Sequence, residues 1–229
     1  MRTEIINIGT ELLSGQVINT NAAFLGRAMG SIGLTVSYQT VTADDRDQVV
    51  SSIQAGLKRS EVVIVTGGLG PTVDDITIAA IAKALNKKLL LDHNILKQIK
   101  ARFKKRKINM PASNIRQAYI PEKAKIIKNP IGTAPGIIIN IKPKKYLIAL
   151  PGVPGEMEAM IQQLLPFFKR ISPGKSIIKS RSIKISSLSE SAVNDKINDL
   201  FPLEKGLSLG IYASPSQIEI KITAKTTDL

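Results

Sequence analysis

Strand-like and helix-like patterns of apolar residues alternate along the first half of the chain. Residues 4–8, 34–41 and 61–66 are predicted strands, and the segments between them repeat apolar residues every three or four positions, as amphipathic helices do. This alternation predicts a three-layer α/β/α fold with a doubly wound, mostly parallel sheet. Apolar runs without polar alternation are typical of strands that helices cover on both faces.

The second half continues the pattern and then changes character. It predicts a helix over 76–85, a strand over 88–91, a basic helix from about residue 94 to Pro111, strands over 124–128, 136–141 and 146–150, and a final amphipathic helix with Met157, Met160, Ile161, Leu164 and Phe168 inward. Residues 171–175, ISPGK, predict a linker. The chain therefore divides into a domain at 1–170 and a small α+β domain at 171–229, which is marginal in size for an independent core.

Composition excludes several kinds of chemistry. The 229 residues contain no cysteine and one histidine, His93, which rules out disulfides, thiolate nucleophiles, zinc–thiolate sites and histidine clusters. Any metal must be a hard cation bound through oxygen. Without a long apolar segment or a signal-peptide pattern at its start, the chain is expected to be cytoplasmic, with no membrane segment.

The charge balance raises nucleic-acid binding as one hypothesis. The formal net charge is +14, and much of the excess lies in residues 97–107, KQIKARFKKRK. Only 4% of the residues are aromatic and this run has one, Phe103, so platforms for base stacking are scarce. A solvated basic helix face is the favoured interpretation, and neutralising Lys104, Lys105, Arg106 and Lys107 would test the alternative.

Four loops at the ends of predicted strands carry the candidate chemistry. They are GTELLSG (9–15), TGGLGPTVDD (66–75), GTAPG (132–136) and PGVPGE (151–156). The second loop lacks the lysine of a Walker A motif and the third glycine of a dinucleotide fingerprint, but its glycines let backbone N–H groups approach an anion. Glycines that only make a turn would look the same in any one loop, so the prediction rests on convergence at the carboxyl ends of the strands.

Two adjacent carboxylates make the second loop unusual. Asp74 and Asp75 are predicted in the first turn of the following helix, where they would compensate its dipole. A carboxylate beside a phosphate is favourable when a cation bridges them, as in magnesium sites formed by one or two carboxylates and substrate phosphates. Adjacent residues point about 100° apart on a helix, so one aspartate can cap the helix while the other faces the loop. Glu11 of the first loop either completes such a site or is a solvated carboxylate.

Four motifs together resemble one family. GTELLSGQVINTN, TGGLGPTVDD, NPIGTAPG and LPGVPGEM are similar, in order and separation, to the amino-terminal part of the CinA competence/damage-inducible proteins, over about residues 3–170. The segments SLSESAVND and GIYASPSQIEIKITAK resemble the small domain that follows there. The resemblance implies a molybdopterin-binding-like (MogA/MoeA-like) fold, a homodimer, and a metal-dependent pyrophosphatase that cleaves ADP-ribose, a nucleotide sugar, to AMP and ribose 5-phosphate. The carboxy-terminal nicotinamide-nucleotide amidohydrolase domain of many members is absent, so that activity is not expected.

The resemblance also implies roles for individual residues, and it makes Asp74, Asp75 and Glu11 the expected ligands of Mg²⁺, Mn²⁺ or Co²⁺. It places substrate contacts at Gly67, Gly68, Leu69, Gly70, Pro71, Thr72, Asn19, Asn21, Gly132, Thr133, Ala134, Pro135, Gly136, Pro151, Gly152, Pro154 and Glu156. Asp75, Asp44 and Glu11 are the candidate catalytic carboxylates, with Asp44 or Asp75 as the base. Asp75→Asn is expected to abolish metal-dependent turnover and leave the fold intact. A non-hydrolytic nucleotide- or molybdopterin-binding protein of the molybdenum-cofactor type is the main alternative, since fold alone does not fix function.

Overall fold

The structure, a computed structural model, describes residues 1–172 and 177–226 and separates into two compact units. The larger unit comprises Met1–Met29 and Leu34–Ile171. Its strands are β1 (Arg2–Ile8), β2 (Thr35–Thr42), β3 (Val62–Thr66), β4 (Leu89–Leu91), β5 (Tyr119–Pro121), β6 (Lys125–Ile127), β7 (Gly136–Lys142) and β8 (Lys145–Leu150). Its helices are α1 (Thr10–Leu13), α2 (Thr20–Ser31, of which residues up to Met29 belong to this unit), α3 (Arg46–Arg59), α4 (Thr77–Ala84), α5 (His93–Lys105) and α6 (Pro154–Ile171).

The main sheet confirms the predicted α/β fold. Its six strands lie in the order β2-β1-β3-β8-β7-β6, and β2, β1, β3 and β8 are parallel neighbours. Strand β7 runs antiparallel to both of its neighbours, β8, with which it forms a hairpin, and β6. The chain passes from β1 outward to β2 and then back across β1 to β3, so the topological switch point lies between β1 and β3. Open α/β sheets bind their ligands outside the carboxyl ends of the strands at this point.

Helices cover both faces of the central strands. Ile5 and Ile6 of β1 point to opposite faces and both are fully buried, as the apolar run predicted. The face that carries Ile6 packs with Val49 and Ile53 of α3. The predicted inward positions of α6, Met157, Met160, Ile161, Leu164 and Phe168, are all buried.

Some helices and strands differ from their predicted bounds or pairing, and local contacts explain the differences. The basic helix α5 ends at Lys105 instead of continuing to Pro111, because Lys107 takes a left-handed conformation with φ of 57°. Asp92 fixes the start of α5, since its carboxylate accepts hydrogen bonds from Asn94 N and Ile95 N. The predicted strand at 88–91 lies outside the main sheet and pairs with β5. The predicted linker at 171–175 falls largely outside the described residues.

The second unit contains β9 (Ile177–Ile185), α7 (Glu190–Ile197), β10 (Leu207–Ser214) and β11 (Gln217–Thr226). The strands form an antiparallel sheet in the order β10-β11-β9. Val193 of α7 packs on Ile218 and Ile220, which gives this unit a small core of its own. In neither unit does a described helix have the length and apolar character that crossing a membrane requires.

Candidate functional site

A cleft of about 520 Å³ opens at the carboxyl ends of β1, β3 and β8. This volume is within the usual range for sites that bind small molecules. Loops after these strands and the loop before β7 supply most of the lining: Ile8, Gly9, Glu11, Asp44, Gly67, Gly68, Leu69, Gly70, Pro71, Asp74, Asp75, Gln117, Thr133, Ala134, Pro151, Gly152, Val153 and Glu156. The structure therefore brings residues of all four predicted loops into one cavity.

The glycine turn after β3 depends on two glycines with positive φ. Gly67 has φ of 109° and Gly68 has φ of 62°, and a Cβ atom on Gly67 would collide with the carbonyl oxygen of Ile8. Thr77 ties this turn to the start of α4, because its Oγ1 donates to Gly67 O at 2.7 Å and its backbone N donates to Gly68 O at 3.2 Å. The turn is thus held between β1 and α4.

Asp75 closes the loop from inside. Its Oδ1 accepts a hydrogen bond from Gly70 N at 2.6 Å, and its Oδ2 accepts from Thr72 N at 2.8 Å and from Thr72 Oγ1 at 2.5 Å. The prediction that Asp74 and Asp75 lie in the first turn of a helix is wrong, because α4 begins only at Thr77. The N–H groups of Gly70 and Thr72, which the sequence suggested for a phosphate, bind this carboxylate instead.

Asp74 and Glu11 are placed differently from Asp75. Both side chains line the cleft, and neither carboxylate has a hydrogen-bond partner within residues 1–172 and 177–226. The Glu11 carboxylate lies against Gly9, where a Cβ atom would collide with it. These two side chains therefore keep their oxygens available in the cleft.

Asp44 holds the loop that follows β1. Its Oδ2 accepts hydrogen bonds from Thr10 N at 2.8 Å and from Thr10 Oγ1 at 3.0 Å. Asn19 and Asn21 also position loops: Asn19 Oδ1 accepts from Ala22 N at the start of α2, and Asn21 Nδ2 donates to Gly152 O at 2.7 Å. All three residues were predicted to meet the ligand directly, and the structure adds these positioning contacts.

The loop that carries NPIGTAPG is organised by a residue that the sequence reasoning did not select. Asn129 is buried, its Oδ1 accepts from the backbone N of Ile131 and Gly132, and its Nδ2 donates to Ala134 O. The same Nδ2 lies 2.6 Å from Glu156 Oε2. The asparagine of the motif thus shapes the loop and orients a carboxylate of the cleft.

Two arginines outside the predicted site support these loops. Arg102 of the basic helix donates to Ile131 O at 2.5 Å and to Asn129 O at 2.6 Å. Arg116 donates to Thr72 O at 2.8 Å. Neither residue has a sequence signal of its own: the basic run 97–107 does not show that Arg102 is the cation that faces inward, and Arg116 lies in a segment without a recognisable pattern.

Gln117 is a cleft residue that sequence reasoning missed. It lies on a 3₁₀ segment, residues 112–118, and is buried although polar. Its Oε1 accepts from Asn114 Nδ2 at 3.1 Å and its Nε2 donates to Leu69 O at 3.4 Å. No apolar periodicity marks this segment in the sequence.

Several predicted contacts do not line the cleft. They are Thr72, Asn19, Asn21, Gly132, Pro135, Gly136 and Pro154. Asn19, Asn21 and Pro154 line a neighbouring recess of about 100 Å³. Pro135 lines a cavity of about 160 Å³ beside Tyr119, and Gly136 is buried at the start of β7.

Family comparisons now identify the chain. Residues 4–170 match the family described as "Probable molybdopterin binding domain", and residues 180–229 match the "Damage-inducible protein CinA KH domain". The crystal structure of the protein CinA from Thermoplasma acidophilum is 37% identical, with a TM-score of 0.68, over 73% of this chain and 97% of that one. The chain belongs to the CinA family. The resemblance of the four motifs is thereby confirmed.

Other CinA relatives are longer than this chain. A CinA-like protein of Dictyoglomus turgidum is 39% identical over 226 residues, which make up 98% of this chain and 54% of that protein. The chain thus spans about half the length of this relative. A molybdopterin biosynthesis protein from Mycobacterium abscessus has a TM-score of 0.50 at 15% identity, over 74% of this chain and 92% of that one, a likeness of fold alone.

The charge in the cleft of this CinA-family chain is opposite to that of the chain as a whole. Glu11, Asp44, Asp74, Asp75 and Glu156 line it, and none of its described lining residues is lysine, arginine or histidine. Within the described residues no three acidic side chains are close enough together to form a ready metal site. The predicted ligands Glu11, Asp74 and Asp75 therefore share the cleft without forming a preassembled cluster.

Proposed function

We propose that this CinA-family chain hydrolyses the pyrophosphate of ADP-ribose to AMP and ribose 5-phosphate with a divalent cation. The observation that carries the proposal is the acidic cleft in a chain of net charge +14. Five carboxylates beside glycine loops repel a pyrophosphate unless a cation lies between them. Hard divalent cations are usually bound in this way, by one or two carboxylates together with substrate phosphate oxygens and water.

Asp74 and Glu11 are the proposed cation ligands. Their oxygens make no hydrogen bonds to described residues, whereas both oxygens of Asp75 already accept bonds from the loop. Carboxylate donors suit Mg²⁺, Mn²⁺ and Co²⁺, and the phosphate oxygens of the substrate would complete a site that the protein alone does not preassemble. When bound, the cation would neutralise charge on the phosphates.

Asp44 is the proposed general base. Two bonds from Thr10 fix its Oδ2, and no described residue donates to its Oδ1, so the side chain is oriented with one free oxygen in the cleft. Asp44 Oδ1 accepts a proton from a water molecule as the water oxygen attacks one phosphorus of the pyrophosphate. The bond from that phosphorus to the bridging oxygen breaks, and the second phosphate leaves. The loops around Asp75 and Asn129 hold the walls of the cleft in position.

The decisive experiment is incubation of the purified protein with ADP-ribose and Mg²⁺, Mn²⁺ or Co²⁺, with AMP measured chromatographically. Asp44→Asn is expected to lower the rate of AMP release by about 100-fold or more, because general-base catalysis contributes about that much. Glu158→Gln is the matched control, since Glu158 lies on α6 two residues beyond Glu156 but does not line the cleft.

Absence of AMP with all three metals, from protein whose folding circular dichroism verifies, would refute the hydrolysis. If ADP-ribose or AMP raised the melting temperature of such a sample, the non-hydrolytic nucleotide-binding function would replace it.

A further inference from the structure

The recess beside the cleft contains a buried amide that makes no hydrogen bond to any described residue. Asn7, on β1, is 1% exposed, and neither its Oδ1 nor its Nδ2 has a hydrogen-bond partner in the described parts of the chain. Because Ile6 and Ile8 pack on the α3 side of the sheet, Asn7 points to the opposite face, into the recess of about 100 Å³. Buried amides are normally hydrogen-bonded, so an unpartnered one that lines a cavity needs a partner from within that cavity.

A second unpartnered atom faces the same recess. Asn21 Nδ2 donates to Gly152 O at 2.7 Å, which fixes the orientation of the amide, and its buried Oδ1 has no partner among the described residues. Thr66, also in the wall, uses its Oγ1 to donate to Pro151 O at 2.9 Å. The recess therefore offers two amide acceptors and one amide donor group to which no described residue bonds.

The recess adjoins the acidic cleft. Ile8, Glu11 and Gly152 line both cavities, so a ligand with its phosphates in the cleft can extend a neighbouring group into the recess. This continuity connects the two unpartnered amides to the ligand of the proposed function.

The unpartnered atoms of Asn7 and Asn21 determine which kind of ligand group fits the recess. A cation would leave the Asn7 Nδ2 group without an acceptor, and the recess also lies at the amino-terminal ends of α2 and α6, where helix dipoles oppose positive charge. A phosphate dianion has no hydrogen for either Oδ1 atom, and the Glu11 carboxylate would repel it. Hydroxyl groups both donate and accept, so the hydroxyl edge of a sugar satisfies all the unused atoms.

We infer that this recess, lined by Asn7 and Asn21, is a subsite for sugar hydroxyls of the nucleotide substrate. The inference deepens the proposed function, because it assigns the specificity for a sugar phosphate to residues outside the acidic cleft. Asn7 is the specificity-determining residue, since both its polar groups are free, and Asn21 supplies a second acceptor.

Titration with ribose 5-phosphate and with inorganic phosphate, in the presence of Mg²⁺, tests the subsite without requiring turnover. Heteronuclear NMR would follow the side-chain amide signals, with the Asn7 signal assigned from its loss in Asn7→Leu. The wild-type protein is expected to bind ribose 5-phosphate about tenfold or more tightly than phosphate, because sites built around a substrate hydroxyl discriminate strongly against ligands without it. The Asn7 signal should move with the sugar phosphate only.

Two variants and one control make the result decisive. Asn7→Leu fills the recess and Asn7→Ala enlarges it. In both variants the affinity for ribose 5-phosphate should exceed that for phosphate by less than about twofold, while the affinity for phosphate stays unchanged. Thr3→Val is the matched control: Thr3 lies on the same strand but outside the recess, and its buried hydroxyl has no partner in the part of the chain that the structure describes. It should keep the full preference.

An Asn7 signal unmoved by ribose 5-phosphate, or a preference that survives in both Asn7 variants, would overturn the subsite and leave a recess that holds water only. The same holds if neither probe binds the wild-type protein. The AMP assay tests the hydrolysis separately. If the protein releases AMP but ribose 5-phosphate does not move the Asn7 signal, only the subsite is refuted. If the protein releases no AMP but ribose 5-phosphate moves the Asn7 signal, only the hydrolysis is refuted.

Discussion

The two ends of β1 bury polar side chains in opposite ways. At the amino end Glu4 is fully buried, and its carboxylate accepts bonds from Arg59 Nε at 2.8 Å, Arg59 Nη2 at 2.7 Å and Thr40 Oγ1 at 2.9 Å. The Arg59 guanidinium also stacks 4.1 Å from the ring centre of Tyr38. Three residues along the same strand, Asn7 is as deeply buried and has no described partner.

This difference distinguishes buried polar groups that stabilise the fold from buried polar groups that are available to bind a ligand. A buried charge with a complete set of bonds stabilises one conformation, whereas an unpaired buried group costs stability unless something else binds it. The hydroxyls of Thr3 and Ser60, near the amino end, also lack partners among the described residues, but they line neither the cleft nor the recess. Unpaired groups therefore point to function only where they face a cavity.

The largest effect is expected at the carboxyl end, where two adjacent aspartates differ in their bonding. In Asp75→Asn one side-chain oxygen becomes an NH₂ group, so the side chain can accept from Gly70 N or from Thr72 N but not from both. The loop would lose one of the two backbone bonds that close it, so AMP release is expected to fall about 100-fold or more. The free energy of unfolding should fall by about 1–2 kcal/mol, measured by urea denaturation.

Asp74→Asn is the matched comparison for that variant. Asp74 is exposed and has no described hydrogen bond, so the free energy of unfolding should change by less than about 0.5 kcal/mol. The expected loss is in the affinity for the divalent cation, measured as the metal concentration that gives half-maximal AMP release. If Asp75→Asn kept full stability and lost only metal affinity, Asp75 would be a metal ligand and not the residue that closes the loop.

The next effect concerns the amino end, where the polar network is complete. Arg59→Met keeps most of the aliphatic stem but leaves the buried Glu4 carboxylate with only Thr40, so the melting temperature should fall by about 5 °C or more. Arg59→Lys retains a charge but not the two-bond geometry and should recover only part of the loss. The binding of ribose 5-phosphate should not change in either variant at a temperature where both are folded.

A stability of Arg59→Met equal to that of the wild-type protein would break the comparison, because Glu4 would then tolerate the absence of partners as Asn7 does. The hydrogen bond to Glu4 raises the pKa of Arg59 above its ordinary value, so the guanidinium stays charged throughout any accessible pH range. Differences in melting temperature between the wild-type protein and the Arg59 variants therefore do not reflect deprotonation of Arg59.

The position of the candidate site was predictable from the sequence, but the use of its individual side chains was not. Apolar runs locate the strands, and glycine-rich loops after them meet at the carboxyl edge of the sheet, so the cleft follows from the order of elements. Asp74 and Asp75 carry the same local signal, and only the conformation of the loop decides that one is bonded and the other free. Arg102 is likewise indistinguishable from its basic neighbours until α5 packs beside the NPIGTAPG loop.

Asn7 did leave a trace in the sequence. It is the amide residue of EIINI, which also contains Glu4, and a buried strand rarely includes an amide without a partner. The sequence does not distinguish such an asparagine from one whose amide is hydrogen-bonded within the protein, as Asn129 is to Ala134 and Glu156. The distinction needs the three-dimensional contacts, because hydrogen-bond partners come from residues distant along the chain.

The smallest effect concerns acid stability at the amino end, where Glu61 is paired with Arg2. The hydrogen bond from Arg2 N to Glu61 Oε2, 2.6 Å long, lowers the pKa of Glu61 below its ordinary value of 4.5, and the guanidinium of Arg2 adds a weaker contribution. A carboxylate with a lowered pKa in the folded protein stabilises it above the ordinary pKa, and that contribution is lost as the pH falls through the lowered value. The carboxylate is partly exposed, so the contribution should stay below about 1 kcal/mol.

The free energies of unfolding of the wild-type protein and of Glu61→Gln, measured in urea, should therefore differ by a constant amount at neutral pH and converge below pH 4.5. Arg2→Ala keeps the backbone donor and should retain most of this pH dependence. If Arg2→Ala abolished it, the guanidinium and not the backbone N–H group would be its cause.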